Sequence, residues 1–194
     1  MTKIRRSIVV SALRGVAKAW CLLGAAVAAP AIAAEYPEVL LTEDHAKHCR
    51  VRQGDSFPAV ELPLLGGAAT PLAKLQGAKG TVVVIWAPDR WMARAALADL
   101  AKLLGEKKLP AGIAVAGIAV GQPAGAVQAE VAKAKAAFPQ LLDERREVLA
   151  AVGERLLPRI YVLDAKGRIV WFDVEYGEAT RRELRQSLKA LQGP

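Results

Sequence analysis

Sulfur and imidazole are scarce in this chain. It holds two cysteines, Cys21 and Cys49, and two histidines, His45 and His48. Both histidines precede residue 50, so histidine acid–base chemistry is excluded from everything downstream. The spacing His45-x-x-His48-Cys49 lacks the fourth ligand of a structural zinc and does not match the haem-attachment pattern, so no metal and no cofactor are expected. There is no P-loop and no Ser/His/Asp arrangement. Aromatic residues make up 5% of the chain, against 53% hydrophobic residues overall, so the core must be built mainly from Ala, Val and Leu. No basic stripe interleaved with aromatics is present, which argues against nucleic acid as a partner.

The formal net charge of +8 is concentrated at the start of the chain. Residues 1–34 carry Lys3, Arg5, Arg6, Arg14 and Lys18 and no acid, which leaves 22 basic against 19 acidic side chains in the rest. A basic start, an apolar middle (Ala19 to Val27) and a small-residue exit (Ala31-Ile32-Ala33-Ala34) give these residues the pattern of a secretory signal peptide. The protein is therefore expected to be exported, periplasmic or extracellular, with no membrane span once the segment is cleaved. An uncleaved anchor is the alternative. Arg5-Arg6 leaves open whether export is general or twin-arginine. Leu109 to Val127 carries no charge, but its glycines and Pro123 make it a buried strand and loop rather than a spanning helix. The exported chain keeps one cysteine, Cys49, which has no internal disulfide partner and is a candidate for an intermolecular bond, including a Cys49-linked dimer.

Beyond a leader spanning residues 35–50, one domain is expected over 51–194. Its centre is Thr81 to Leu104. Thr81-Val82-Val83-Val84-Ile85-Trp86 is an apolar, β-branched run suited to a strand buried on both faces. Ala87-Pro88-Asp89 stops it, with Asp89 placed to cap a helix. From Arg90 the period becomes helical, with Ala93, Leu97, Leu100 and Leu104 on one face and Arg90, Arg94 and Lys102 on another. Ile113 to Val120 reads as a second buried strand, parallel to the first. Helices are expected over Ala124 to Phe138 (ended by Pro139) and Glu144 to Val152 (capped by Gly153). Leu141 to Asp143 is expected to be a short strand. Leu156 to Asp164, the turn Asp164-Ala165-Lys166-Gly167 and Arg168 to Val174 form a hairpin. A Thr180/Glu183 capping box opens a last helix.

These residues resemble the thioredoxin-like superfamily, in particular its secreted TlpA/redoxin (AhpC-TSA-like) branch. Gly54, Asp55 and Pro58 resemble the turn that opens a redoxin domain, and Gly66-Gly67 reads as a hairpin-like turn after it. Trp86-Ala87 matches the Trp-Ala pair before the redox turn, and Arg94 the Arg that trails it. Leu157-Pro158-Arg159-Ile160-Tyr161-Val162-Leu163-Asp164 resembles the strand that begins with a cis-proline, here Pro158. The resemblance implies an α/β, thioredoxin-like three-layer fold, with a central mixed sheet flanked by helices and an N-terminal β extension. It also places the two cysteines of the family's CxxC on Arg90 and Ala93. Arginine is no nucleophile and alanine has no thiol, so the resemblance implies a degenerate, redox-inactive site.

The vacated site is expected to bind rather than react. Trp86, Asp89, Arg90, Arg94, Pro158 and Arg159 are the candidate binding residues, with Arg90 and Arg159 facing each other across an anion- or carboxylate-binding spot. The edge beside the cis-proline is suited to an extended peptide. An acidic peptide or an envelope protein is the expected partner. The alternative is a thiol-disulfide oxidoreductase or peroxiredoxin-like enzyme that uses Cys49 or a partner's thiol, with only His45 and His48 near it in sequence.

Overall fold

The computed structural model describes residues 35–193. The proposed signal segment, Cys21 included, lies outside the described residues. Strand β3 (Gly80–Trp86) is the middle of a five-stranded sheet, and every one of its residues is buried. The alternation of its side chains feeds two cores. Val82, Val84 and Trp86 pack into one, and Val83 and Ile85 into the other. A strand of this kind has no polar face to present to water, which is why its residues form a continuous apolar run.

On one side of β3 lie β4 (Ile113–Val120) and then β5 (Gln140–Asp143), all parallel. On the other lie β6 (Arg159–Asp164) and β7 (Ile169–Asp173), antiparallel, so that the order is β5-β4-β3-β6-β7. The first core is covered by α2 (Trp91–Gly105), α3 (Ala124–Ala134) and α5 (Glu178–Ala190). The second is covered by α4 (Glu147–Val152) and by the chain from Cys49 to Leu75. That chain includes a small antiparallel pair, β1 (Glu61–Pro63) and β2 (Ala69–Pro71), the N-terminal β extension. The result is the three-layer mixed-sheet architecture that the sequence implies. Among the described residues no helix is long and apolar enough to cross a membrane.

Each sheet edge is paired in part by the chain that precedes β3, which shortens the ladder left open to other chains. At β5, Leu65 N donates to Gln140 O at 2.8 Å. At β7, Gly54 N donates to Ile169 O and Ile169 N to Asp55 O, at 2.7 and 2.8 Å.

Local boundaries depart from the sequence expectation where capping decides them. Helix α3 stops at Ala134 rather than running to Phe138, because Lys135 turns left-handed (φ 52°) before Pro139 can act. Helix α4 starts at Glu147, not Glu144, because both carboxylate oxygens of Asp143 accept from the backbone N–H groups of Glu147, Val148 and Leu149. Thr180 lies inside α5: its hydroxyl accepts from Gly177 N and donates to Asp173 Oδ2, with no part taken by Glu183. The leader is partly regular, with one helical turn, α1 (Glu43–Ala46), capped by the Thr42 side chain.

One buried polar bond spans the first core. Trp86 Nε1 donates to Gln140 Oε1 at 3.0 Å, and Gln140 Nε2 donates to Phe138 O at 3.3 Å. Gln140→Leu leaves the buried indole N–H without an acceptor, and denaturant unfolding is expected to show a loss of about 1–3 kcal/mol. An unchanged midpoint would show that this bond contributes nothing.

Candidate functional site

The chain leaves β3 at Trp86, turns through Ala87, Pro88 and Asp89, and enters α2. Asp89 does not cap this helix. The N-cap is Arg90, in extended backbone (φ −106°, ψ 117°), with no side-chain hydrogen bond to the first turn and no acid within it. The turn itself is held by Arg94, whose Nη1 donates to Pro88 O at 2.7 Å. Arg94 thus braces the corner. Trp86 is fully buried and serves the core.

At the start of α2 the side chains split. Ala93 is fully buried, whereas Arg90 is exposed and its nearest carboxylate, Asp89 Oδ2, lies 3.9 Å from Nε. Trp91 is 69% exposed, a large apolar surface left in water. The peptide bond Leu157–Pro158 is cis. The antiparallel register that sets Ile85 opposite Arg159 ends there, so Pro158 and Leu157 lie beside Trp86 and Ala87 without entering the ladder. A cleft of about 610 Å³ opens at this place, between the end of β3, the end of β4 and α4. Asp89, Arg90 and Leu157 line it, together with Arg146 and Arg155.

Arg159 is not part of that cleft. Strand alternation places it with Tyr161 on the α4 side of the sheet, under the leader, where it is fully buried against Gly153 and Glu154 and does not line the cleft. Its Nε donates to Leu156 O at 3.2 Å, and Nη2 donates to His48 O and, at 3.0 Å, to Glu154 O. Its Nη1 lies 3.5 Å from both Tyr161 Oη and Cys49 Sγ. Among the described residues no carboxylate pairs with it. The expected Arg90–Arg159 pair is therefore corrected: one guanidinium is in water and the other is a buried clamp. Gly153 makes room for it, since a methyl there would meet Arg159 Nη2 at 2.5 Å. Burial pushes the Tyr161 hydroxyl up to about 12, with the Arg159 charge pulling the other way, so the phenol stays neutral.

This clamp ties the leader to the domain. Cys49 bridges to Gly153, Arg50 N donates to Val152 O at 2.9 Å, and Glu154 N to His48 O at 3.0 Å. Cys49 is half-buried, and its Sγ lies 3.4 Å from His45 O. His45 and His48 do not converge on it. They turn to Glu175 and Glu154, at 3.3 and 3.9 Å. The sequence expectation that only those histidines stand near the thiol is corrected as well: its charged neighbour is Arg159.

The redoxin family model matches residues 52–188. The chain belongs to the redoxin family. Its fold is shared with solved structures at low identity. A candidate protein disulfide isomerase of Bacteroides thetaiotaomicron is 22% identical with a TM-score of 0.65, over 74% of this chain and 92% of that one. A candidate thiol:disulfide interchange protein DsbE of Chlorobium tepidum is 21% identical with a TM-score of 0.63, over 73% and 99%. A secreted disulfide oxidoreductase of Mycobacterium tuberculosis is 22% identical with a TM-score of 0.56, over 69% and 95%. No curated protein matches the chain significantly.

Sequence reasoning missed four residues around this redoxin site. Trp91 reads from sequence as one more helix residue, and only the packing leaves it outside. Gln140 carries no signal for its bond to Trp86, 54 residues away. Arg146 and Arg155 sit in short connections of left-handed backbone, which arginine does not advertise. Arg159→Met is expected to strand the carbonyls of His48, Glu154 and Leu156. Limited proteolysis within residues 43–50 should then quicken and stability fall by about 2–4 kcal/mol. Arg90→Met should change stability by less than about 0.5 kcal/mol. Equal effects of the two would contradict the clamp.

Proposed function

We propose that this redoxin-family protein is exported and acts as a binding or accessory module of the cell envelope, holding an extended peptide at a site that no longer exchanges disulfides. The observation that carries the reading is the occupancy of the α2 start. Arg90 and Ala93 stand where the family resemblance puts the dithiol, and neither can supply the thiolate that attack or resolution requires. What remains there favours recognition. Trp91 is exposed, and among the described residues the N–H and C=O of Leu157 have no backbone partner beside the cis peptide, an edge to which an extended chain can hydrogen-bond. Export rests on the signal-like pattern of residues 1–34, with 35–50 as leader and 51–194 as the domain.

The test is a disulfide-reduction assay and a peroxide-consumption assay on the purified chain. Turnover is expected to be indistinguishable from the uncatalysed rate. Catalysis that survives Cys49→Ser would overturn the reading, because no other thiol remains beyond residue 34.

One observation favours a second reading, a single-thiol enzyme. Cys49 Sγ lies 3.5 Å from the buried Arg159 guanidinium, so the sulfur is half-buried with a cation beside it. Cys49 attacking a disulfide as a thiolate would form one mixed disulfide and release the other sulfur as a thiol, and a partner's thiol would have to resolve the product. Turnover abolished by Cys49→Ser would establish this reading. A doubled mass on non-reducing gels, collapsed by reductant, would instead identify Cys49 as a tether between two copies. A single band at the monomer mass would rule that tether out.

A further inference from the structure

Three arginines from three different connections converge on the cleft beside α2. Arg90 caps the helix, Arg146 precedes α4 and Arg155 follows it. Arg146 and Arg155 both hold left-handed backbone, at φ 61° and 65°, a region that arginine rarely occupies. Both positions thus hold a costly backbone conformation at the cleft lining. The position opposite Arg146 is Gly121, itself at φ 62°, and a methyl there would come within 2.5 Å of Arg146 Nε. The guanidinium therefore fills the space that the missing side chain leaves, at the end of β4.

These cations are under-compensated. Among the described residues neither Arg146 nor Arg155 makes an ion pair or a side-chain hydrogen bond, and Arg90 has only Asp89, at 3.9 Å. Asp143, next in the chain to the α4 connection, is unavailable because both its oxygens accept from α4 backbone N–H groups. Of the two acids in the cleft, Glu154 lies 3.9 Å from His48 Nδ1, and Asp89 is the sequence neighbour of Arg90. The uncapped N–H groups of α2 add partial positive charge at the same place.

We infer that the Arg90–Arg146–Arg155 cleft takes an oxyanion, and that its occupant is a carboxylate side chain of an acidic peptide laid along Leu157. The inference rests on the peptide-holding reading above and names the chemistry of that peptide. Guanidinium groups on separate elements bind carboxylates through paired N–H donors, and a cleft of about 610 Å³ accommodates one or two side chains. Leu157 lines the cleft, so backbone and side-chain recognition are contiguous. Arg159 is fully buried and does not line the cleft.

The experiment titrates the purified chain with a Glu-rich nonapeptide, with the same peptide carrying Gln for Glu, and with inorganic phosphate. Each titration is repeated on Arg146→Asn with Arg155→Asn and on Arg182→Asn as a control. Asparagine tolerates left-handed backbone, so the double variant keeps the fold, which far-ultraviolet circular dichroism checks. The Glu peptide is expected to bind more tightly than the Gln peptide, to weaken with salt and to lose about ten-fold or more affinity in the double variant only. Equal binding of both peptides, untouched by the double variant, overturns the oxyanion cleft and leaves the peptide-holding reading standing. Phosphate binding that the double variant removes, with neither peptide bound, overturns the peptide carboxylate as occupant and the peptide-holding reading with it. No binding by any probe overturns the inference.

Discussion

Burial of β3 on both faces is the constraint from which the rest follows. A strand with no polar face needs a layer on each side, and the helices α2, α3 and α5 on one face and α4 with the leader-side chain on the other supply them. Because β3 is central, its C-terminal end must open into a loop flanked by the strands on either side. The end of β4 and the start of β6 therefore meet the α2 N-terminus whatever residues stand there. The site is a product of the topology, and its chemistry is a separate choice made by a handful of side chains.

That separation is visible at the start of α2, where the corner is held by groups other than thiols. Ala93 fits the core without demand, and Arg90 at the N-cap is solvated. Arg94 holds the corner through the Pro88 carbonyl. None of these contacts needs sulfur. The buried clamp of Arg159 shows the opposite case, in which a charge is removed from water. A desolvated guanidinium survives only where its donors are used, and here three main-chain carbonyls take up much of that demand while the Tyr161 hydroxyl and the Cys49 sulfur flank the remainder. The same contacts draw residues 48–50 against α4, so a segment that composition marks as an irregular leader is stitched to the domain.

The departures from the sequence reading have a common cause. Asp89 carries the composition of a cap, but the chain turns one residue later and Arg90 takes the position. Thr180 and Glu183 have capping-box spacing, yet the Thr180 hydroxyl binds Asp173 on the neighbouring strand. Arg159 follows a cis-proline and by adjacency belongs to the site, but its guanidinium is taken up by the carbonyls of His48 and Glu154 and does not line the cleft. In each case a local pattern competes with a contact that only the assembled chain offers.

Periodicity and β-branching determined the two buried strands and the main helix after the first, because burial on both faces or on one leaves a mark on every residue of a segment, and the glycine turn at Asp164 to Gly167 marked the hairpin. The side of β6 on which Arg159 lies, the exposure of Trp91, the partner of Gln140 and the convergence of Arg90, Arg146 and Arg155 were decided by the tertiary structure. Those depend on where separate segments come to rest against one another, and a distance across the fold leaves no period in the chain.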